Sequence, residues 1–133
     1  PLEGASAAKG IFMTRVLVVD DDPSLLELAR RRLELEGFHV TTTNETLGTT
    51  RRIRELKPDV VIMDQQMPAL SGSSLLKVIR EAMPQSAPKL VLYSNIGESE
   101  LAAKAAESGA DGYICKSDGM DKLIGKIRDL TKK

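Results

Sequence analysis

The tightest constraint on the chain is Val60-Val61-Ile62-Met63, four β-branched or apolar residues set between Pro58 and Pro68. The run is too short for an ordinary helix and carries no polar alternation. It therefore reads as a strand buried on both faces, the kind found in a parallel sheet covered by helices. Asp64 follows directly. In open parallel sheets ligands gather outside the carboxyl ends of the strands. A carboxylate there is placed for chemistry, whereas inside the strand it would only be costly to bury.

The rest of the chain supplies partners for that strand. Val16 to Val19 is a second apolar run, stopped by Asp20-Asp21-Asp22-Pro23. Asp22 is placed to cap a helix that has Pro23 at its first position, where the missing N–H costs nothing. Leu26, Ala29 and Leu33 form the inner face of that helix, supported by Leu25 and Leu28. Glu27 and Arg31 are spaced for an i,i+4 pair, and Gly37 suits the C′ position. Phe38 to Thr43 reads as a weaker strand nearer a sheet edge. A helix is expected over 45–56, although Gly48 and the threonines lower its propensity.

Beyond the Pro58–Pro68 strand, a loop through Ser71-Gly72 leads to a helix with Leu75, Leu76, Ile79 and Met83 inward. Lys89 to Tyr93 is the fourth strand, ending at Ser94-Asn95. An alanine-rich helix, from about Glu98 to Ser108, closes with Gly109. Asp111 to Cys115 is the fifth strand, ending at Lys116. The last helix has the cleanest period, with Met120, Leu123, Ile124, Ile127 and Leu130 on one face. Five strands alternating with five helices argue for one α/β domain built on a parallel sheet covered on both faces.

Composition narrows the function classes. With 133 residues, 41% hydrophobic and 29% charged, the chain suits a single globular domain. Its 19 basic and 19 acidic side chains balance, so bulk charge gives no reason to expect nucleic-acid binding. No apolar run approaches a membrane span, and Cys115, the only cysteine, reads as a buried reduced thiol; a cytoplasmic protein is expected. Residues 1–12 lack strand or helix periodicity and read as an appended or disordered leader, with a genuine N-terminal extension as the alternative. The folded domain is expected over 13–133, starting at Met13.

Four strands end in a group able to act on a phosphoryl: Asp20 and Asp21, Asp64, Ser94, and Lys116. In a parallel sheet those ends share one edge. Three carboxylates together repel strongly, and the usual remedy is a hard divalent cation such as Mg²⁺. A lysine adds fixed positive charge. That set meets the needs of phosphoryl transfer, where positioning and charge neutralisation supply most of the catalysis. Neither a G-x-x-x-x-G-K-[ST] loop nor a G-x-G-x-x-G turn is present.

Residues 15–131 resemble the receiver domain of bacterial two-component response regulators. The matching motifs are Val-Leu-Val-Val-Asp-Asp-Asp-Pro, Val-Val-Ile-Met-Asp-Gln-Gln-Met-Pro with Ser71-Gly72 following, and Gly109-Ala110-Asp111-Gly112-Tyr113. The resemblance implies a flavodoxin-like three-layer sandwich with strand order 2-1-3-4-5 and five helices. It implies that Asp64 takes a phosphoryl group from a histidine kinase or phosphotransfer protein. Asp21, Asp64 and the backbone carbonyl of Gln66 would bind Mg²⁺ directly, with Asp20 acting largely through water. Lys116 and Ser94 would contact the phosphoryl group, and Ser94 and Tyr113 would switch together. Gln66 and Asn95 would tune attack by water. The fourth helix, fifth strand and fifth helix would face a downstream output domain or protein, or a second copy of the chain.

Two departures bear on these expectations. Family members usually have a cis proline after the lysine, and Ser117 stands there instead. A cis bond without proline costs about 3–4 kcal/mol, so a trans bond is expected. Ser94 replaces the commoner threonine, which keeps the hydroxyl and loses an orienting methyl. Each residue also has a plainer reading. Asp64 suits a turn, Ser94 and Asn95 a loop start, Lys116 a solvated sheet end, and Tyr113 a packing position. His39 is given no function, and Arg30-Arg31-Arg32 and Arg51-Arg52 with Arg54 read as solvated helix faces.

Two other functions compete. A haloacid-dehalogenase-like phosphotransferase would use Asp20 as nucleophile in an Asp20-x-Asp22 motif. Against it, the chain is short and has no cap. A pseudo-receiver would bind partners without phosphorylation; the retained acidic residues argue against it and Ser117 argues for it.

Overall fold

The computed structural model describes residues 13–132, so the expectation for residues 1–12 lies outside the described residues. The strands are β1 (Arg15–Val19), β2 (His39–Thr43), β3 (Val60–Met63), β4 (Lys89–Ser94) and β5 (Gly112–Cys115). The helices are α1 (Pro23–Leu35), α2 (Thr49–Leu56), α3 (Gly72–Ala82), α4 (Glu98–Ser108) and α5 (Met120–Leu130). All strand pairs are parallel, in the order β2-β1-β3-β4-β5. This is the doubly wound, flavodoxin-like order expected from the motifs.

The alternation of each strand divides the core in two. Val16, Val18, Val60, Ile62, Val91 and Ile114 face α1 and α5, where Leu26, Leu33, Leu123 and Ile127 meet them. Leu17, Val19, Val61, Met63, Leu90 and Leu92 face the other way, onto Ile53, Leu76, Ile79 and Leu101 of α2, α3 and α4. β3 is buried along its whole length. β2 lies at one edge of the sheet, in keeping with its more polar sequence.

Local expectations hold at most element ends. The Asp22 side chain accepts from Ser24 N at 3.0 Å, and Pro23 opens α1. Gly37 at φ 92° follows the helix, and Gly109 at φ 79° ends α4. Four details differ. Helix α2 starts at Thr49, not Glu45, because Gly48 adopts φ 83° and breaks the helical path. Arg52 is not a purely solvated charge. It donates to the carbonyls of Glu45 and Leu47, each at 3.0 Å, and so closes the loop ahead of α2. Glu27 pairs with Arg30 at 3.1 Å instead of Arg31, an i,i+3 partner within the same reach on the helix surface as the i,i+4 one. Leu28 is 51% exposed and supports no core face.

Two acidic residues at the amino ends of β3 and β5 act as staples. Asp59 accepts from Arg15 N at 2.8 Å, and Asp111 accepts from Leu90 N and from Arg80, both at 2.8 Å. The aspartate of the Gly109-to-Tyr113 motif thus ties β4 to β5. Among the described residues no helix is long and apolar enough to cross a membrane.

Candidate functional site

Sheet register assembles the site. Val19 lies beside Met63, Met63 beside Leu92, and Ser94 beside Cys115. Asp20 and Asp64 therefore leave adjacent strands at one level. Ser94 ends β4 next to them, and Lys116 follows β5 directly. Residues separated by 96 positions in the chain meet in one cleft at the carboxyl edge.

Asp64 is buried at the centre. Its Oδ1 accepts from Ser94 Oγ at 2.6 Å and from Gln66 N at 3.2 Å. Its Oδ2 lies 3.3 Å from Lys116 Nζ. The same ammonium is 2.8 Å from Asp20 Oδ2, while Asp20 Oδ1 accepts from Asp22 N at 2.9 Å. One lysine thus bridges two buried carboxylates. Asp21 is exposed, yet one oxygen from each of Asp20, Asp21 and Asp64 falls within 4.8 Å of the others.

The charge balance follows from these distances. Burial pushes the Asp20 carboxyl above its ordinary value, and the Lys116 hydrogen bond offsets only part of that. Burial alone would lower Lys116, but its hydrogen bond to Asp20 and the charges of Asp20 and Asp64 outweigh it, so the ammonium is held above its usual range. Three carboxylates against one ammonium leave the cleft short of positive charge. An all-oxygen set of this kind fits a hard divalent cation, which Asp20, Asp21 and Asp64 could hold.

The remaining expected residues lie around this group. Gln66 and Asn95 are exposed at its rim. Tyr113 is half-buried, packed against the α2–α4 side of the core. The Lys116–Ser117 bond is trans, as are all peptide bonds of the described residues, and a short 3-10 turn over Lys116–Asp118 carries the lysine inward. Asp22 is spent as a helix cap, which removes the second carboxylate of the rival Asp20-x-Asp22 motif.

Two features were not anticipated. Tyr93 is buried beside the site, and burial raises its phenol pKa, with smaller opposed effects from Lys116 and Asp20. Gln65 is also buried, with its carboxamide bonded to Ser73. The signal available for Gln65 was an uncharged polar residue two positions beyond a fully apolar strand, directly after Asp64.

A buried aspartate with a lysine and a hydroxyl at the carboxyl edge of a 2-1-3-4-5 sheet is the arrangement that the resemblance to receiver domains implies. The comparisons agree. Residues 16–128 match the response regulator receiver domain family, and the chain belongs to it. The chain is 36% identical over 121 residues to the transcriptional regulatory protein KdpE of Mycobacterium tuberculosis, covering 91% of this chain and 52% of that protein. It is 32% identical over 114 residues to the DNA-binding response regulator MtrA of Mycolicibacterium smegmatis, covering 86% of this chain and 49% of that protein. The chain thus spans about half the length of these curated relatives.

Among solved structures, a LuxR-family two-component response regulator from Aurantimonas sp. SI85-9A1 superposes with TM-score 0.80 at 31% identity, covering 89% of this chain and 84% of that one. The Vibrio cholerae chemotaxis protein CheY4 gives TM-score 0.80 at 22% identity over 89% and 98% of the two chains, a likeness of fold alone.

Proposed function

We propose that Asp64 accepts a phosphoryl group from a sensor histidine kinase or phosphotransfer protein in a Mg²⁺-dependent reaction. The observation that carries this is the Asp64 carboxylate itself, buried between Ser94 Oγ at 2.6 Å and Lys116 Nζ at 3.3 Å. An Asp64 oxygen attacks phosphorus as the bond to the donor imidazole breaks, and the imidazole nitrogen keeps the electron pair. Lys116 then pairs with the phosphoryl oxygens, and the Ser94 hydroxyl turns from the carboxylate to donate to one of them. Asp21, Asp64 and the Gln66 carbonyl would hold the Mg²⁺, with Asp20 acting through water. The ion supplies neutralisation of the phosphoryl charge. Gln66 and Asn95, exposed at the rim, set how easily water reaches the adduct.

Movement of Ser94 toward the adduct leaves space behind it, into which Tyr113 turns. Tyr113 borders a groove of about 770 Å³ between α4, β5 and α5. We assign that face to an output domain or protein, or to a second copy of this chain. The balanced net charge offers little for nucleic acid, so contact with it belongs to the output partner.

Incubation with acetyl phosphate and Mg²⁺, followed by peptide mapping, tests the assignment. An adduct on Asp64 that vanishes in Asp64→Asn is expected. A label on Asp20 instead would transfer the chemistry to the haloacid-dehalogenase-like reading, and Mg²⁺ binding with no adduct would favour a pseudo-receiver.

A further inference from the structure

Building on the phosphoacceptor reading, we propose that Gln65 is a positioning residue. Its buried carboxamide clamps the β3–α3 turn to the head of α3 and so sets where the Gln66 carbonyl meets the divalent ion. Gln65 is 8% exposed and lies directly between two residues of the site. Its Oε1 accepts from Ser73 N at 2.8 Å, and its Nε2 donates to Ser73 Oγ at 2.9 Å. Its own carbonyl accepts from Gly72 N at 3.1 Å. Three hydrogen bonds thus join one residue to the first two residues of a helix.

The bonds use donors that α3 cannot satisfy itself. Amides in the first turn of a helix have no partner within it. Ser71 Oγ takes the Ser74 amide at 3.2 Å, and Gln65 takes the Gly72 and Ser73 amides from outside the helix. Gly72 permits the approach, because a Cβ there would overlap the Asp64 carbonyl. The next amide, Gln66 N, donates to Asp64 Oδ1 at 3.2 Å. The Gln65–Gln66 peptide, directly before the Gln66 carbonyl, is therefore held from the Asp64 side through Gln66 N and from the α3 side through Gln65 O. A carboxamide buried here has its bonds satisfied in one arrangement of the turn, and any other leaves polar groups unpaired. Outer partners of metal ligands act in this way, by fixing the ligand's direction.

An apolar residue of the same length fills the space but leaves the Ser73 amide and hydroxyl without this partner. The informative variants are Gln65→Met and Ser73→Ala, neither of which removes a group placed on the phosphoryl or the ion. Mg²⁺ affinity is read from a ¹⁵N–¹H NMR titration, and fold stability from urea unfolding in chelator. Gln65→Met is expected to weaken Mg²⁺ binding by about tenfold, the low end of the loss typical for outer partners of ligands. Ser73→Ala keeps the bond from its own amide and is expected to lose less. The double variant is expected to bind no more weakly than Gln65→Met alone, as groups in one network do.

A lowered unfolding midpoint with Mg²⁺ affinity kept within about twofold of wild type, in both single variants, would reduce Gln65 to a packing element and overturn the proposal. If Gln65→Met does not fold, Ser73→Ala decides alone, and unchanged affinity there also overturns it. Acetyl phosphate labelling of the wild-type chain, run in parallel, separates the two failures. Labelled Asp64 with insensitive variants removes only the clamp. Absence of label with a Gln65-sensitive ion site removes only the phosphoacceptor role.

Discussion

Lys57 ends α2 with φ 51° and ψ 55°, a left-handed conformation that costs an L-residue about 1 kcal/mol or more. Its N–H donates to Ile53 O at 2.8 Å, so the conformation serves the helix cap. Lys57→Gly keeps that bond without the Cβ clash and is expected to stabilise the fold by about 0.5–1 kcal/mol in urea unfolding. Asp20 presents the opposite case, a buried charge in the group that could hold a metal ion. Its folded pKa is raised above the ordinary 3.8, so the folded state holds the proton more tightly than the unfolded chain. That contribution is present below 3.8 and is lost as pH rises through the folded value, which leaves ionised Asp20 a burden at neutral pH. Asp20→Asn is expected to relieve that burden in the metal-free protein at pH 7 while weakening Mg²⁺ binding. The stability gain should shrink as pH falls toward the raised Asp20 value, which a series of melting curves in chelator would follow.

Among the elements, α3 is held close against the end of β3. A Cβ on Gly72 would overlap the Asp64 carbonyl oxygen and lie 3.1 Å from Gln65 Cα, and both obstacles are backbone. Gly72→Ala is therefore expected to cost about 3 kcal/mol and to lower acetyl phosphate labelling of Asp64, since helix and strand must part. Element by element, the legible features were those set by neighbouring residues. Asp22 and Pro23 marked the start of α1, and the spacing of Leu123, Ile124 and Ile127 marked the buried face of α5. The start of α2 was misread because the pattern of residues 45–56 suits a helix, whereas Gly48 and the Arg52 bonds decide otherwise. Gln65 escaped notice because its partner is the head of a helix eight residues away.

For the molecule as a whole, the acidic cleft is poised to couple ion binding to stability. Mg²⁺ at 100 times its Kd should stabilise the fold by about 2.7 kcal/mol, the value set by mass action for a ligand of the folded state alone. Thermal unfolding with and without chelator would measure it. In Asp21→Asn the shift should nearly disappear, because Asp21 is the exposed carboxylate of the trio. Sequence alone determined the strand-ending residues Asp20, Asp64, Ser94 and Lys116 and the βα alternation that sends them to one edge, because strand period, caps and breakers act over a few neighbouring residues. Tertiary structure alone decided that Val19 sits beside Met63 and Ser94 beside Cys115, that one ammonium bridges Asp20 and Asp64, and that Gln65 grips α3. Parallel strands joined through helices carry no local mark of their register; it is settled when both faces of the sheet bury their side chains at once.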